Sequence, residues 1–228
     1  MGLSVLDGVA LALFVAAWIA YHLAVERTPA GRRSLNMAMN AYRHGWMRQM
    51  LARDNRIMDA NINASLQNGT AFFASTSLIA VGGVLTLLRS TDDVMNLFAD
   101  MPFGLATTRL AWEIKVLGLA VIFVYAFYKF AWSYRLFNSA AILLGAVPPA
   151  GCGDQREAEA AAERASRMNV VAGLHFNRGQ RAFFFALAYL GWFISAYVFM
   201  ASTAACLFVM ARRQLFSDAL AALEDSGG

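Results

Sequence analysis

The sequence predicts an all-α integral membrane protein: one domain over residues 1–228, built as a bundle of four transmembrane helices with helical cytoplasmic connections. Two observations predict this class. Hydrophobic residues fill 59% of the 228 positions and charged residues 15%, whereas soluble domains average about 45–50% and about 25%. Apolar runs also approach or exceed the ~20 residues that a helix needs to cross a ~30 Å hydrocarbon core. This composition excludes a soluble globular domain, a disordered chain and a disulfide scaffold.

The apolar runs set the predicted spans at about residues 3–24, 70–88, 110–134 and 182–211. Asp7 is the only interruption of the first run. The fourth run has thirty residues, which is more than one perpendicular crossing requires. We therefore expect the fourth span to tilt or to extend past the bilayer.

The arginine distribution predicts the orientation. Residues 25–69 carry seven arginines and residues 135–181 carry six, whereas residues 89–109 carry only Arg89 and Arg109. Because basic residues concentrate on the cytoplasmic side, the first and third connections are expected in the cytoplasm and both termini on the outer side of a bacterial inner membrane. Arg212 and Arg213, after the fourth span, count mildly against this orientation. Membrane lipids are the expected partners, and nucleic acid is not.

The two cytoplasmic connections are predicted to be helical. Residues 33–68 carry apolar side chains mostly three to five positions apart, which favours either an interfacial helix or a long extension of the second span. The extension is preferred, because no proline interrupts residues 33–88. In the third connection Asp154 is a cap candidate with Glu157 as its reciprocal partner, and a surface helix is expected over 154–170.

A polar stripe is the first candidate functional feature. Asp54, Asn61, Asn68 and Ser75 repeat every seven residues, and Gly82 continues the series. On one helix they would run from the cytoplasm into the second span and line a helix interface or a water-filled axis. The alternative is a packing contact in which Asn and Ser join helices by hydrogen bonds. Glu113 in the third span is a further candidate, since a carboxylate inside a bundle often binds a proton or cation, unless it reaches the outer boundary.

A second set of candidates lies at the cytoplasmic boundary. Arg178 and Arg181 precede the fourth span and would anchor it at the interface or bind lipid-headgroup phosphate. The basic and acidic groups near residue 55 could contact the same headgroups or neutralise one another. The full set of interface or lipid-headgroup candidates is Arg53, Arg56, Asp59, Asn177, Arg178 and Arg181.

The sequence gives no sign of a metal, a cofactor or a familiar catalytic motif. Its histidines, His22, His44 and His175, do not have the i,i+3 or i,i+4 spacing of a helical metal site, and its two cysteines are not a Cys-x-x-Cys pair. Glycine-rich phosphate loops and the common hydrolase motifs are also absent from the sequence. We therefore expect neither metal nor cofactor and lean away from an enzyme.

Three motifs carry a resemblance to a known family. They are Arg53-Asp54-Asn55-Arg56, residues 67–76 at the start of the second span, and residues 176–182 at the start of the fourth. On these motifs the chain resembles the membrane-protein family known as domain of unknown function 599, found in bacteria and plants, over most of residues 5–212. The resemblance implies a four-span bundle and supplies no activity, substrate or catalytic residue.

Three functions stay open from the sequence. The first is a non-enzymatic homo-oligomer that passes an ion or small polar solute along the polar stripe. The second is an accessory or scaffold subunit of a larger membrane complex, in which the same residues are buried against partner helices. The third is a membrane enzyme that acts on lipid, with Asp54, Asp59 and Arg178 near the headgroups.

Overall fold

The computed structural model describes residues 3–93, 95, 108–151 and 154–224, and the regular structure in these ranges is entirely helical. The all-α prediction is therefore confirmed. The helices are α1 (Val5–Arg27), α2 (Pro29–Arg32), α3 (Leu35–Leu51), α4 (Ile57–Arg89), α5 (Arg109–Gly145), α6 (Gln155–Leu190), α7 (Ala196–Leu215) and α8 (Asp218–Glu224), with a 3-10 turn at Gly191–Phe193 between α6 and α7.

In the described part of the chain, α1, α4 and α5 are long and apolar enough to cross a membrane, judged by length and composition. They contain the first three predicted spans. α4 and α5 continue well past the apolar runs, and they pack on each other and, for α5, on α6.

The predicted fourth span is not one helix. α6 ends at Leu190 and the chain turns back into α7, whose first turn is capped by the Ser195 hydroxyl. Ser202 donates a hydrogen bond to the carbonyl of Ala188 at 2.7 Å, and Cys206 donates to that of Phe184 at 3.4 Å, so α6 and α7 form an antiparallel hairpin. The close approach of the two helices requires glycine at position 191, because a Cβ there would lie only 2.6 Å from the Ser202 hydroxyl.

The predicted continuous helix from residue 33 into the second span is also wrong. α3 ends at Leu51, and α4 begins at Ile57 after a turn. The side chain of Asn55 accepts from the backbone of Ile57 at 2.9 Å and so binds one of the free N–H groups at the start of α4. The turn therefore separates α3 from α4, and α3 packs instead on α6.

The surface helix predicted over 154–170 is the first part of α6, which continues without a break to Leu190. The side chain of Asp154 accepts from the backbone of Arg156 at 3.0 Å and caps it. Glu163 and Arg167 pair at 2.9 Å on its exposed side, as their spacing predicts.

The helices run antiparallel along most of the bundle. Asn63 of α4 donates to the carbonyl of Phe137 of α5 at 3.3 Å, and Ser133 of α5 donates to that of Ala172 of α6 at 2.7 Å. The membrane half of the core is rich in aromatic rings. Phe14 of α1 packs within 6 Å of the rings of Trp18, Phe185, Tyr189 and Phe199.

The bundle has two chemically different ends. We call the end that holds Glu26, Arg178 and Arg213 the basic end, and the end that holds Asp7 and Trp192 the opposite end. α1 runs between them: Asp7 accepts from the Trp192 indole at 2.7 Å, while Tyr21 donates to the carbonyl of Met210 at 3.3 Å. Residues 4–7 and 212–213 thus lie at different ends of the bundle.

Candidate functional site

The predicted polar stripe lies on the exposed side of α4. Asn61, Asn68, Ser75 and Gly82 are all exposed there. Asp54 is exposed as well, but it lies in the turn before α4 and so is not part of the helical repeat. The stripe is therefore open to solvent, lipid or another protein and is not packed against the helices of its own chain.

A second heptad on α4, which the sequence interpretation missed, faces the core. The buried residues of α4 are Asp59, Asn63, Thr70, Ser77 and Val84. Asn63 to Val84 repeat every seven residues, two positions after the stripe, and two positions correspond to about 200° around a helix. Thr70 and Ser77 donate to carbonyls of their own helix at 2.8 and 2.7 Å. Hydroxyls that bond to their own backbone can be buried without a hydrogen-bond partner on another helix.

The arginines near residue 55 hold helices together inside the chain. The carboxylate of Asp59, which is fully buried, accepts from the Trp46 indole at 2.7 Å and from Arg53 at 2.6 Å. Arg56 donates to the backbone carbonyls of Val147 and Pro148 at 2.6 and 2.5 Å. These three predicted interface residues thus fix the α3–α4 turn to the end of α5.

The structure places Glu113 in a surface ion pair. Its carboxylate accepts from Arg109, one turn earlier on α5, at 2.9 Å, and Arg109 also binds Asp92. The buried charge of this helix is instead Lys115, which is 7% exposed. Of the two alternatives for Glu113, its position fits a carboxylate that reaches the boundary.

Lys115 belongs to a cluster that closes the opposite end. Its ammonium donates to the carbonyl of Trp192 at 2.9 Å, a carbonyl in the break between α6 and α7. It also lies 3.9 Å from Asp7, which accepts from the Trp192 indole and from the Ser4 hydroxyl, both at 2.7 Å. A helix break leaves backbone carbonyls without their helical partners, and Lys115 binds one of them.

The basic end holds an acid between two arginines. Glu26 accepts two hydrogen bonds from Arg178, at 3.0 and 2.6 Å, and one from Arg181 at 2.5 Å. His22, one turn earlier on α1, lies 3.3 Å from the same carboxylate. Sequence reasoning found the two arginines but not Glu26 or His22, because their contact depends on how α1 packs on α6.

Two cavities flank Arg181. One, of about 230 Å³, lies among α1, the start of α3, α6 and the end of α7, and we call it the Arg181 cavity. The other, of about 200 Å³, includes Glu26 and Ser34. Both cavities are lined by Asn36, Asn177 and Arg181. Asn177, a predicted site residue, therefore lies at the wall between them.

A larger groove, of about 840 Å³, lies between α3, residues 148–151 and the start of α6. His44 at its side is hydrogen-bonded to Ser166 at 2.8 Å and lies 3.6 Å from Glu163. The hydrogen bond from Arg167 lowers the pKa of Glu163 below its usual value. Since Ser166 is buried and both contacts use the same ring nitrogen of His44, the arrangement is not that of a nucleophile with its base.

Among the described residues there is no group of three side chains of the types that bind metal. The described contacts also join none of Asp54, Asp59 and Arg178 to one another, so the residues suggested for a lipid enzyme are not assembled into a site. Asp59 and Arg178 are each bound to other partners.

Fold and geometry together define a class, a helical bundle of membrane-protein type with an arginine-rich end. The family described as "Protein of unknown function, DUF599" matches residues 9–219, and the chain belongs to this family. The resemblance to this family that the three sequence motifs indicated is thereby confirmed. A search of curated proteins and a search of solved structures each found no match.

Proposed function

We propose that the protein is a non-enzymatic subunit of a membrane assembly, in which copies of the chain meet along the polar stripe of α4. The observation that supports this is the uncovered polar face of α4. Of its most apolar stretch 11% is buried, the same share as in α1 and less than the 44% of α5, but the exposed face of α4 carries the polar stripe. α4 packs mainly on α5 and leaves the stripe uncovered.

The chemistry of the stripe suits contact between helices. A Cβ added at Gly82 or Gly83 would meet no atom of this chain within 4 Å, so another helix could approach the backbone closely there. Ser75 and the two asparagines can form hydrogen bonds between helices, each worth about 0.6 kcal/mol on average in a bilayer. A second copy offers the same small and polar groups, as a two-fold contact requires.

A conduit is the finer form of this proposal. Several copies around an axis would direct Asn61, Asn68 and Ser75 toward its centre, where they could contact a small polar solute or ion. Asn61 and Asn68 precede the apolar part of α4, so within the membrane the lining would consist of Ser75 and small residues. A scaffold subunit would use the same stripe with no open axis.

The orientation follows from the arginines. With the α6–α7 hairpin, Arg212 and Arg213 join the arginines of residues 25–69 and 135–181 at the basic end, so the arginines that counted against the predicted orientation now agree with the positive-inside rule. We therefore place the basic end and α8 in the cytoplasm and residues 4–7 outside, in a bacterial inner membrane. A reporter protein that functions only in the cytoplasm should therefore be active when it is fused after α8.

Cysteine cross-linking tests the assembly. In a variant with both native cysteines replaced, Ser75→Cys should form disulfide-linked dimers in native membranes on mild oxidation. Ser77→Cys is the matched control, because Ser77 lies on the same helix but is fully buried. The proposal would be contradicted if the protein in native lipid has the mass of a monomer and the two variants cross-link equally.

Ion or solute flux separates the two forms. If reconstituted protein forms a conduit, Asn68→Leu should reduce flux through liposomes while the Ser75→Cys cross-link still forms. Cross-linking without flux would leave the scaffold subunit.

A further inference from the structure

We propose that the Arg181 cavity binds the phosphate group of an anionic ligand, with Arg181 and Arg213 as the cationic contacts. This inference is independent of the α4 assembly, because it depends on side chains of α1, α3, α6 and α7. The shared chemistry is a phosphate oxygen that accepts hydrogen bonds, from either an anionic lipid headgroup or free phosphate.

Arg181 supplies the first argument. Its side chain is held in place: one terminal nitrogen donates to Glu26 at 2.5 Å, and Nε donates to the backbone carbonyl of Asn177 at 3.4 Å. The residue is only 8% exposed, yet its other terminal nitrogen, Nη1, has no partner among the described residues. A buried guanidinium N–H without an acceptor is costly, and the residue that carries it lines the cavity.

Gln214 supplies a second unused donor. Its side-chain nitrogen is buried and likewise lacks a partner in the described part of the chain. Gln214 comes from the end of α7 and Arg181 from α6, and both line the same cavity. Two unpaired donors from different helices around one space are what a multi-oxygen acceptor requires.

The charge around the cavity selects an anion. The charged residues that line it are Arg181 and Arg213. Glu26 lies outside the lining and is already engaged by two hydrogen bonds from Arg178. Arg213 has its guanidinium over the Phe184 ring, 5.7 Å from the centroid, at the side of the cavity.

Size and lining indicate a phosphate group with apolar surroundings. The volume of about 230 Å³ is below the ~300–1,000 Å³ of sites that enclose drug-sized molecules. The lining includes the apolar or aromatic residues Phe184, Met210 and Tyr21 and the polar residues Asn36, Asn177 and Gln214. A lipid would place its phosphate against the polar residues and its chains against the apolar ones.

The matched pair Arg213→Gln and Arg212→Gln tests the proposal. Both remove one positive charge, but Arg212 does not line the cavity. In nanodiscs of phosphatidylcholine with added phosphatidylglycerol, native mass spectrometry should show selective retention of phosphatidylglycerol by the wild-type protein and Arg212→Gln. Arg213→Gln should retain it about tenfold less, as expected for the loss of one charge-assisted hydrogen bond.

A second arm identifies the source of the phosphate. Inorganic phosphate is titrated onto protein in pure phosphatidylcholine nanodiscs, with chloride at matched ionic strength as the control, and the melting temperature is measured. Stabilisation that Arg213→Gln loses and Arg212→Gln keeps would assign the site to free phosphate. Phosphatidylglycerol retention with the same variant pattern and no phosphate effect would assign it to a lipid.

The proposal is overturned if neither probe binds, or if the two variants lose the same amount of binding, because bulk charge would then explain the effect. Arg181→Gln should abolish binding altogether. If that variant does not fold, the Arg213 and Arg212 pair still decides the question.

Discussion

The two ends of the bundle hold charge clusters that differ in their ratio of acidic to basic groups. At the opposite end one acid, Asp7, lies beside one base, Lys115, and both bind Trp192 in the α6–α7 turn. At the basic end one acid, Glu26, lies between two arginines, one of which keeps an unpaired N–H. In the cluster with one acid and one base, both charged groups are engaged in fixing the α6–α7 turn. In the cluster with two arginines and one acid, the ion pairs hold the helices together and one arginine N–H is still available to a ligand.

The largest effect is expected from Glu26→Gln. The substitution leaves Arg178 and Arg181 partly buried without their carboxylate, and breaking a buried pair from one side costs about 3 kcal/mol or more. The free energy of unfolding in detergent should fall by about that amount. Glu113→Gln is the control, since the Glu113–Arg109 pair is exposed and should matter little. Equal losses in the two variants would show that the basic-end cluster does not hold α1 to α6.

A smaller loss is expected from Lys115→Met. This change keeps most of the side-chain volume but leaves the carbonyl of Trp192 without its donor, at a cost of about 2 kcal/mol. Lys129→Met removes a contact with the Tyr125 ring, 5.1 Å from the centroid, and no hydrogen bond that the described contacts show, so the free energy of unfolding should change less. If Lys129→Met were the more damaging of the two, the lysine in the opposite-end cluster would not stabilise the hairpin turn.

The smallest effect concerns pH at the basic end. Burial lowers the pKa of His175, Lys129 and Arg178 act in the same direction, and Glu26 opposes them. The unfolded chain therefore binds a proton at His175 at a higher pH than the folded protein does. Stability should fall as the pH drops below about 6.5 and level off below the folded pKa.

His175→Gln cannot titrate, so it should lose less stability than the wild-type protein between pH 7 and pH 5. Unfolding curves of both proteins across this range measure the difference. The same pH dependence in both proteins would contradict the assignment.

Local patterns in the sequence predicted some elements well and others not at all. The cap at Asp154 and the Glu163–Arg167 pair depend on residues a turn apart, and both are present. Gly191 and Ser195 have the spacing of small residues at a helix interface, yet in the structure Gly191 permits a turn and Ser195 caps α7. The hydropathy of residues 182–211 is the same for one long helix and for a hairpin, so composition could not separate them.

The candidate sites show the same division. Arg178 and Arg181 were predictable, because arginines before an apolar run are a local signal. The choice between two heptads on α4 was not, since both carry Asn and small polar residues. Asn63, Thr70 and Ser77 are buried, and Asn61, Asn68 and Ser75 are exposed. The hydroxyls of Thr70 and Ser77 bond to their own helix, whereas the amide of Asn63 donates to the carbonyl of Phe137 on α5.

The sequence by itself determined the all-helical class, the three longest apolar helices and the concentration of arginine in particular segments, because these follow from composition and from contacts between near neighbours. Only the tertiary structure decided that the chain turns back at Gly191, that Arg213 joins Arg181 around one cavity, and that Glu26 lies between two arginines. The contact of Glu26 with the arginines joins residues more than 150 positions apart. The meeting of Arg181 and Arg213 depends on the turn at Gly191, which composition does not reveal. No local pattern carries that information, because it arises only when the helices pack.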